Sequence, residues 1–305
     1  MYTDLFGKKR VKLALHQHTT RSDGRATPEE VARLYREAGY DAVALTDHWV
    51  ENGAEVIEGM PILASCEYNT IESGCLERLH DSAERIYHIV GVCYDRLPGL
   101  QKASAPPARV IVDEIHAAGG IAILAHPAWS LNTADQIAAL RDVDAVEIYN
   151  TTSACGNNRR PDSSVLIDEV ASHHGVLLPI SGADDSHRYT TPLGRHIDYC
   201  TTFVMAECDS VDPEEIKKAI RERRFYTSQG PEIHLSKKGK RFIVDSSPVS
   251  EIIFFTNLVC DAALTLEGDG LTHFEYESEK TSLRFVRAMV IDAEGRMAWS
   301  QFLEA

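Results

Sequence analysis

Six histidines and three carboxylates in this chain have the types and placement to hold divalent metal ions. They are His16, His18, Asp23, His48, Glu67, His88, His126, Asp185 and His187. The densest piece is His16-Gln17-His18, directly after the apolar run Val11–Leu15. In extended backbone alternate side chains point the same way, so both imidazoles could chelate one ion. Imidazoles mixed with carboxylates suit Zn²⁺, Mn²⁺ or Fe²⁺, and the lack of a C-x-x-C pair argues against a structural zinc site. A carboxylate such as Glu67 could bridge two cations. Two ions about 3.5–4 Å apart would activate a bridging hydroxide and clamp phosphoryl oxygens. Each motif is weak alone: Asp47-His48 is commonly a turn, and His88 inside an apolar run reads as a satisfied core histidine. Burying all of them at one rim would be costly without compensating cations, so the coincidence carries the reading.

Such residues need elements that collect them. Val11–Leu15 predicts a strand, and Thr27-Pro28-Glu29-Glu30 predicts a helix start with Thr27 as cap, Pro28 first and Glu30 closing a capping box. Gly39 ends that helix. Further strands are predicted at Ala42–Leu45, Ile62–Ser65, Ile86–Val92, Ile121–Leu124, Ala145–Tyr149, Val176–Ile180 and Thr202–Met205. Helices are predicted over Arg109–Ala118, Ala134–Leu140 and Ser164–His173, and one opens at Asp212-Pro213. Strands alternating with helices predict a parallel sheet with crossover helices, and seven or eight such units predict a barrel. Nearly all the chemical residues then fall at C-terminal strand ends, where α/β barrels build their sites. After Gln229-Gly230-Pro231 the segments become short and β-like: Ile233–Ser236, Arg241–Val244, Glu251–Thr256, Ser282–Ile291 and Met297–Phe302. The expected organisation is a barrel over residues 1–228 and a small all-β domain over residues 229–305.

Composition narrows the partners. The 305 residues are 44% hydrophobic and 25% charged, as in ordinary globular proteins. A formal net charge of −15 disfavours long nucleic acid. A small phosphorylated substrate stays compatible, because bound cations reverse the local field. The seven cysteines form no close pairs and read as free thiols in a reducing compartment. No apolar run approaches the ~18 residues of a membrane span, so a cytoplasmic protein is expected. The β domain could cover the barrel or form a homo-oligomer. No Ser-His-Asp or cysteine nucleophile and no phosphate-cradling P-loop is evident.

Taken in order, His16-x-His18-Thr19-x-x-Ser22-Asp23-Gly24, Thr46-Asp47-His48, Cys66-Glu67, His88, Ala125-His126-Pro127 and Asp185-x-His187 carry a family likeness. They resemble the successive motifs of the polymerase and histidinol phosphatase (PHP) superfamily, over about residues 11–190. Arg224–Pro231 and the β segments after it resemble a subgroup of PHP phosphoesterases with a C-terminal β domain. The resemblance implies an α/β fold built as a distorted (β/α)7 TIM-like barrel, two or three divalent transition-metal ions (Zn, Mn or Fe), and phosphoester hydrolysis. It implies one ion on His16, His18, Glu67 and Asp185, a second on Glu67, His88 and His126, and a third on Asp23, His48 and His187. Glu67, Asp185 and His187 would then be ligands that activate hydroxide. Asp184 is the alternative to Asp185, and His80 competes with His88.

Asp47 is expected to orient a ligand imidazole, while Glu147 and Asn150 either back the ligands or merely end a strand. Arg159, Arg160 and Arg188 lie on predicted rim loops and could bind a phosphate by paired hydrogen bonds. The expected activity is metal-dependent hydrolysis of a small phosphomonoester by a metal-bridging hydroxide. The alternatives are a nucleotide or short-oligonucleotide phosphoesterase or exonuclease, a histidinol-phosphate phosphatase, and a non-catalytic metal-binding interaction module.

Overall fold

The computed structural model describes residues 1–72, 85–155, 159–189, 197–261 and 263–305, the side chains of residues 71, 72 and 85 excepted. His80 lies outside the described residues. In chain order the elements begin with β1 (Tyr2–Thr3), β2 (Lys9–Ala14), α1 (Pro28–Glu37), β3 (Ala42–Ala44), β4 (Glu55–Ile57), β5 (Met60–Leu63), β6 (Ser65–Glu72) and β7 (Arg85–Val92). Then come α2 (Ala108–Ala117), β8 (Ile121–Leu124), α3 (Ala134–Ala139), β9 (Ala145–Asn150), α4 (Thr151–Cys155) and α5 (Ser164–Glu169), which runs into a wider turn over Val170–His174. The last part holds β10 (Ile180–Ala183), β11 (Phe203–Glu207), α6 (Pro213–Arg221) and β12 (Phe225–Ser228). It closes with β13 (Ile233–Lys238), β14 (Arg241–Thr256), β15 (Thr265–Glu277), β16 (Phe285–Ile291), β17 (Met297–Trp299) and β18 (Leu303–Glu304).

Local signals act as expected in α1. The Thr27 hydroxyl accepts from the Glu30 N–H, and the Glu30 carboxylate accepts from the Thr27 N–H, which completes the capping box. Such a cap contributes about 1 kcal/mol. Val31, Ala32 and Tyr35 are buried, and Gly39 takes the left-handed φ of +76° that stops the helix.

The fold is mixed α/β with two sheets. In one, β2, β3 and β5 run parallel, and β11 joins β2 antiparallel. In the other the order is β10-β9-β8-β7-β6. The closure expected of a (β/α)7 barrel is absent from the described ladders. Strand β7 runs antiparallel to both β6 and β8, and β4 with β5 forms an antiparallel hairpin. The two sheets are bridged at one rim by single pairs, Gln17 with Ser186 and His48 with Glu67.

Between the sheets lies a shared apolar layer that includes Leu13, Leu15, Val90, Val92, Ile123 and Val204. Outside the second sheet, Tyr87, Ile89, Leu124 and Ile148 pack with Ile111 and Ile115 of α2 and Ile167 of α5. Alternation therefore turns His88 to the same face as Val90 and Val92, and Glu147 to the face of Ala145. Towards the rim, the inner face changes from aliphatic to imidazole and carboxylate.

Two expected strands shift. Val176–Leu178 pack on the sheet, but Pro179 offers no N–H and the ladder starts at Ile180. The run expected over Ile62–Ser65 is instead the end of β5 and the start of β6. The C-terminal strand region extends the first sheet, because β17 pairs with β12. It includes β15, which has no counterpart in the sequence reading: it is mostly exposed and holds two glycines and several acids. Buried Arg287 of β16 donates to both Asp168 oxygens on α5, at 2.7 and 2.6 Å, beneath Phe255. No described helix is long and apolar enough to cross a membrane.

Candidate metal centre

Four donor atoms converge at the rim. His16 Nε2 lies 3.2 Å from His18 Nε2, 3.2 Å from Glu67 Oε2 and 3.2 Å from Asp185 Oδ1. His18 Nε2 lies 3.0 Å from Glu67 Oε2 and 3.1 Å from Asp185 Oδ1. A tetrahedral ion with bonds of ~2.0–2.1 Å has donor–donor edges of roughly 3.3–3.4 Å, so these atoms are spaced as its ligands would be. Glu67 Oε2 and Asp185 Oδ1 are buried without a hydrogen bond, and so is His48 Nδ1. Orphaned buried carboxylate oxygens are costly, and a cation between them is the group that satisfies them. The residues present fit a divalent metal.

Two further groups of donors adjoin this one. Asp23, His48 and His187 gather with His18, the Asp23 carboxylate lying 3.5 Å from His187 Nε2 and 3.8 Å from His48 Nε2. Glu67, His48 and His88 form the other, with His88 Nδ1 2.7 Å from Glu67 Oε1. His126 Nε2 stands slightly back, 3.5 Å from Glu67 Oε1 and 3.8 Å from Asp185 Oδ2. All nine sequence-derived residues thus meet at one rim. The grouping differs in detail from the expected division, since His48 joins Glu67 and His88 where His126 was expected.

Within the cluster, neighbouring opposite charges oppose the effect of burial. Burial would lower the His18 imidazole, but the adjacent carboxylates of Asp185 and Glu67 override it and raise its pKa to about 9. His16 is also raised against the effect of burial, by Asp185, Glu67 and Glu147. Burial would push Glu67 up, yet the imidazoles of His48, His16 and His88 hold it well below the usual carboxylate range.

Supporting residues hold the donors in place. Glu147 accepts from His16 Nδ1 at 2.8 Å, from the His126 N–H at 2.9 Å and from Asn150 at 2.9 Å. This leaves His16 Nε2 aimed at the cluster. Asn150 also reaches Asp185 Oδ2 at 3.2 Å. His126 and Asp185 hold left-handed backbone, at φ +29° and +53°. Such strain costs roughly 1–3 kcal/mol each and persists where the surroundings over-determine it.

Asp184 points away, accepting from Tyr35 at 2.8 Å, from Thr151 at 3.1 Å and from the Thr202 N–H at 2.7 Å. The expectation for Asp47 needs correction. It accepts from the Thr19 N–H at 2.8 Å, from Ser22 at 2.8 Å and from Asn52 at 3.2 Å, and so fastens the 19–22 loop rather than an imidazole.

The cluster opens into a cavity of about 330 Å³. Arg188 lines it, whereas the exposed Arg159 and Arg160 are not among its lining residues. Arg25, Trp129, Thr152 and Ser153 also line it, and sequence reading missed them. Trp129 meets His88 and His126 nearly perpendicularly, with ring centroids 5.7 and 5.0 Å away. Its only signal was its place three residues after His126.

No protein-family model matches the chain, and no curated protein matches it. Solved structures similar to the chain include the following. A two-domain protein containing a predicted PHP-like metal-dependent phosphoesterase, from Bacteroides vulgatus, is 16% identical with a TM-score of 0.51. That likeness covers 100% of this chain and 97% of the other. A proposed metal-dependent phosphoesterase from Bifidobacterium adolescentis is 16% identical with a TM-score of 0.43, over 62% of this chain and 93% of that one. An amidohydrolase from Chromobacterium violaceum is 18% identical with a TM-score of 0.42, over 61% and 90% respectively. Identity this low speaks of fold and not of activity. Over its whole length the chain shares the fold of the PHP-like two-domain protein.

Proposed function

We propose that this protein is a metal-dependent phosphoesterase acting on a small phosphomonoester. The carrying observation is the tetrahedron of His16, His18, Glu67 and Asp185, whose two buried carboxylate oxygens lack any hydrogen bond. The PHP-like character of the Bacteroides vulgatus protein supports the same chemistry. His48, His88, Asp23, His187 and His126 would hold the second and third of two or three ions, of zinc, manganese or iron. Bound cations would polarise phosphoryl oxygens and lower the pKa of water at the site. Glu147 keeps His16 oriented, and Arg188 faces the incoming phosphate from the cavity wall.

A cavity of about 330 Å³ in a chain of net charge −15 favours a small substrate over long nucleic acid. Residues 1–228 would carry the chemistry, and the strands after residue 229 would serve as an accessory domain. A reducing, cytoplasmic setting fits the free thiols of Cys66, Cys93 and Cys208.

The test is hydrolysis of phosphomonoesters by protein loaded in turn with Zn²⁺, Mn²⁺ and Fe²⁺. Activity should vanish with a chelator and return with metal, and Glu67→Gln should abolish both metal retention and turnover. Metal-loaded protein that hydrolyses no phosphoester would sink the proposal.

A further inference from the structure

Arg25 stands next but one to Asp23, and its placement is fixed on both sides. Its backbone N–H donates to the His187 carbonyl at 2.7 Å, and the Gly24 N–H donates to the Thr19 carbonyl at 3.0 Å. A Cβ at Gly24 would lie 2.5 Å from the carbonyl carbon and oxygen of His18, so the loop rests directly on the backbone of a donor residue. The backbone is pinned while the side chain is exposed and lines the metal cavity beside Asp23, His187 and Arg188.

Nearby Arg21 does other work. Arg21 turns to Asn52 at 2.6 Å and to Glu55 at 3.3 Å. The Arg25 guanidinium forms no ion pair among the described residues. In a protein of net charge −15, a cation at the mouth of the site with no ion-pair partner among the described residues suits an anionic ligand.

We propose that Arg25 is a substrate-binding residue that grips the terminal phosphoryl group; this rests on the phosphoesterase reading above. The planar guanidinium offers paired N–H donors matched to two unesterified phosphoryl oxygens; a phosphodiester also presents two, but shares a single negative charge between them where a monoester carries nearly two at neutral pH. Arg25 therefore favours phosphomonoesters over phosphodiesters at this site.

The decisive experiment titrates inorganic phosphate into metal-loaded protein by calorimetry, with metal content measured for every variant. Arg25→Gln should keep its metal, and its phosphate Kd should rise roughly 10- to 100-fold, as loss of a charge-assisted contact predicts. KM for a phosphomonoester should rise more than kcat falls, with Arg25→Lys intermediate. Arg33→Gln removes the same charge from an exposed position of α1 and should behave as wild type.

Unchanged phosphate affinity in Arg25→Gln, an equal loss in Arg33→Gln, or loss of metal from Arg25→Gln would each overturn the proposal. Phosphate binding that depends on Arg25, in protein that hydrolyses no phosphoester, would leave the anion site standing and refute the enzymatic reading alone.

Discussion

Two neighbouring aspartates show how much one peptide unit decides. Asp185 projects into the donor cluster, where His16 and His187 overcome burial and drive its carboxyl far below the usual range. Asp184 turns to the opposite side, and burial raises its pKa to about 6 despite the hydrogen bonds it accepts. The D-x-H spacing was legible in the sequence and favoured Asp185; the task of Asp184 was not, because Tyr35, Thr151 and Thr202 are distant in the chain. Asp185→Asn should therefore strip metal and reduce hydrolysis to background. Asp184→Asn should retain metal but lower unfolding stability by about 1–3 kcal/mol, since it weakens a buried acceptor. Metal analysis paired with denaturant unfolding checks both, and equal metal loss in the two variants would contradict the assignment. Asp47 was misread for a similar reason: its partners on the 19–22 loop become neighbours only once β2 and β3 lie side by side.

Elements were legible where their signals are local. The capping boxes of Thr27 with Glu30 and Thr133 with Gln136 mark helix starts, and the first was read directly from sequence. Strand direction is not local, so the antiparallel run of β7 was invisible even though its span was found. Side-chain parity survives reversal of a strand, which is why His88 still reaches the site. The loop between β2 and α1 depends on one glycine. A Cβ at Gly24 would lie 2.5 Å from the His18 backbone, and backbone has little room to yield. Gly24→Ala should displace Asp23 and Arg25, lowering the metal stoichiometry while circular dichroism stays native. A variant with wild-type metal content and wild-type KM would show that the contact relaxes without consequence.

At the scale of the molecule, the site occupies the place where two sheets meet without merging. Single bridges join them there: Gln17 to Ser186, which flank donor residues, and His48 to Glu67, which are donors themselves. Below this rim an aliphatic layer shared by the sheets sets their separation, and that layer was legible as strand-like apolar runs. The open seam was not, since closure depends on strand directions and on the β4–β5 hairpin. The C-terminal strands continue the first sheet, and Arg287 ties them to α5 through Asp168. The central claim is that this seam holds metal on His16, His18, Glu67 and Asp185. Anomalous diffraction from crystals of metal-loaded protein tests it most directly. The account predicts a peak about 2.0–2.2 Å from His16 Nε2, His18 Nε2, Glu67 Oε2 and Asp185 Oδ1; protein that carries metal yet shows no anomalous density among those four atoms would contradict it.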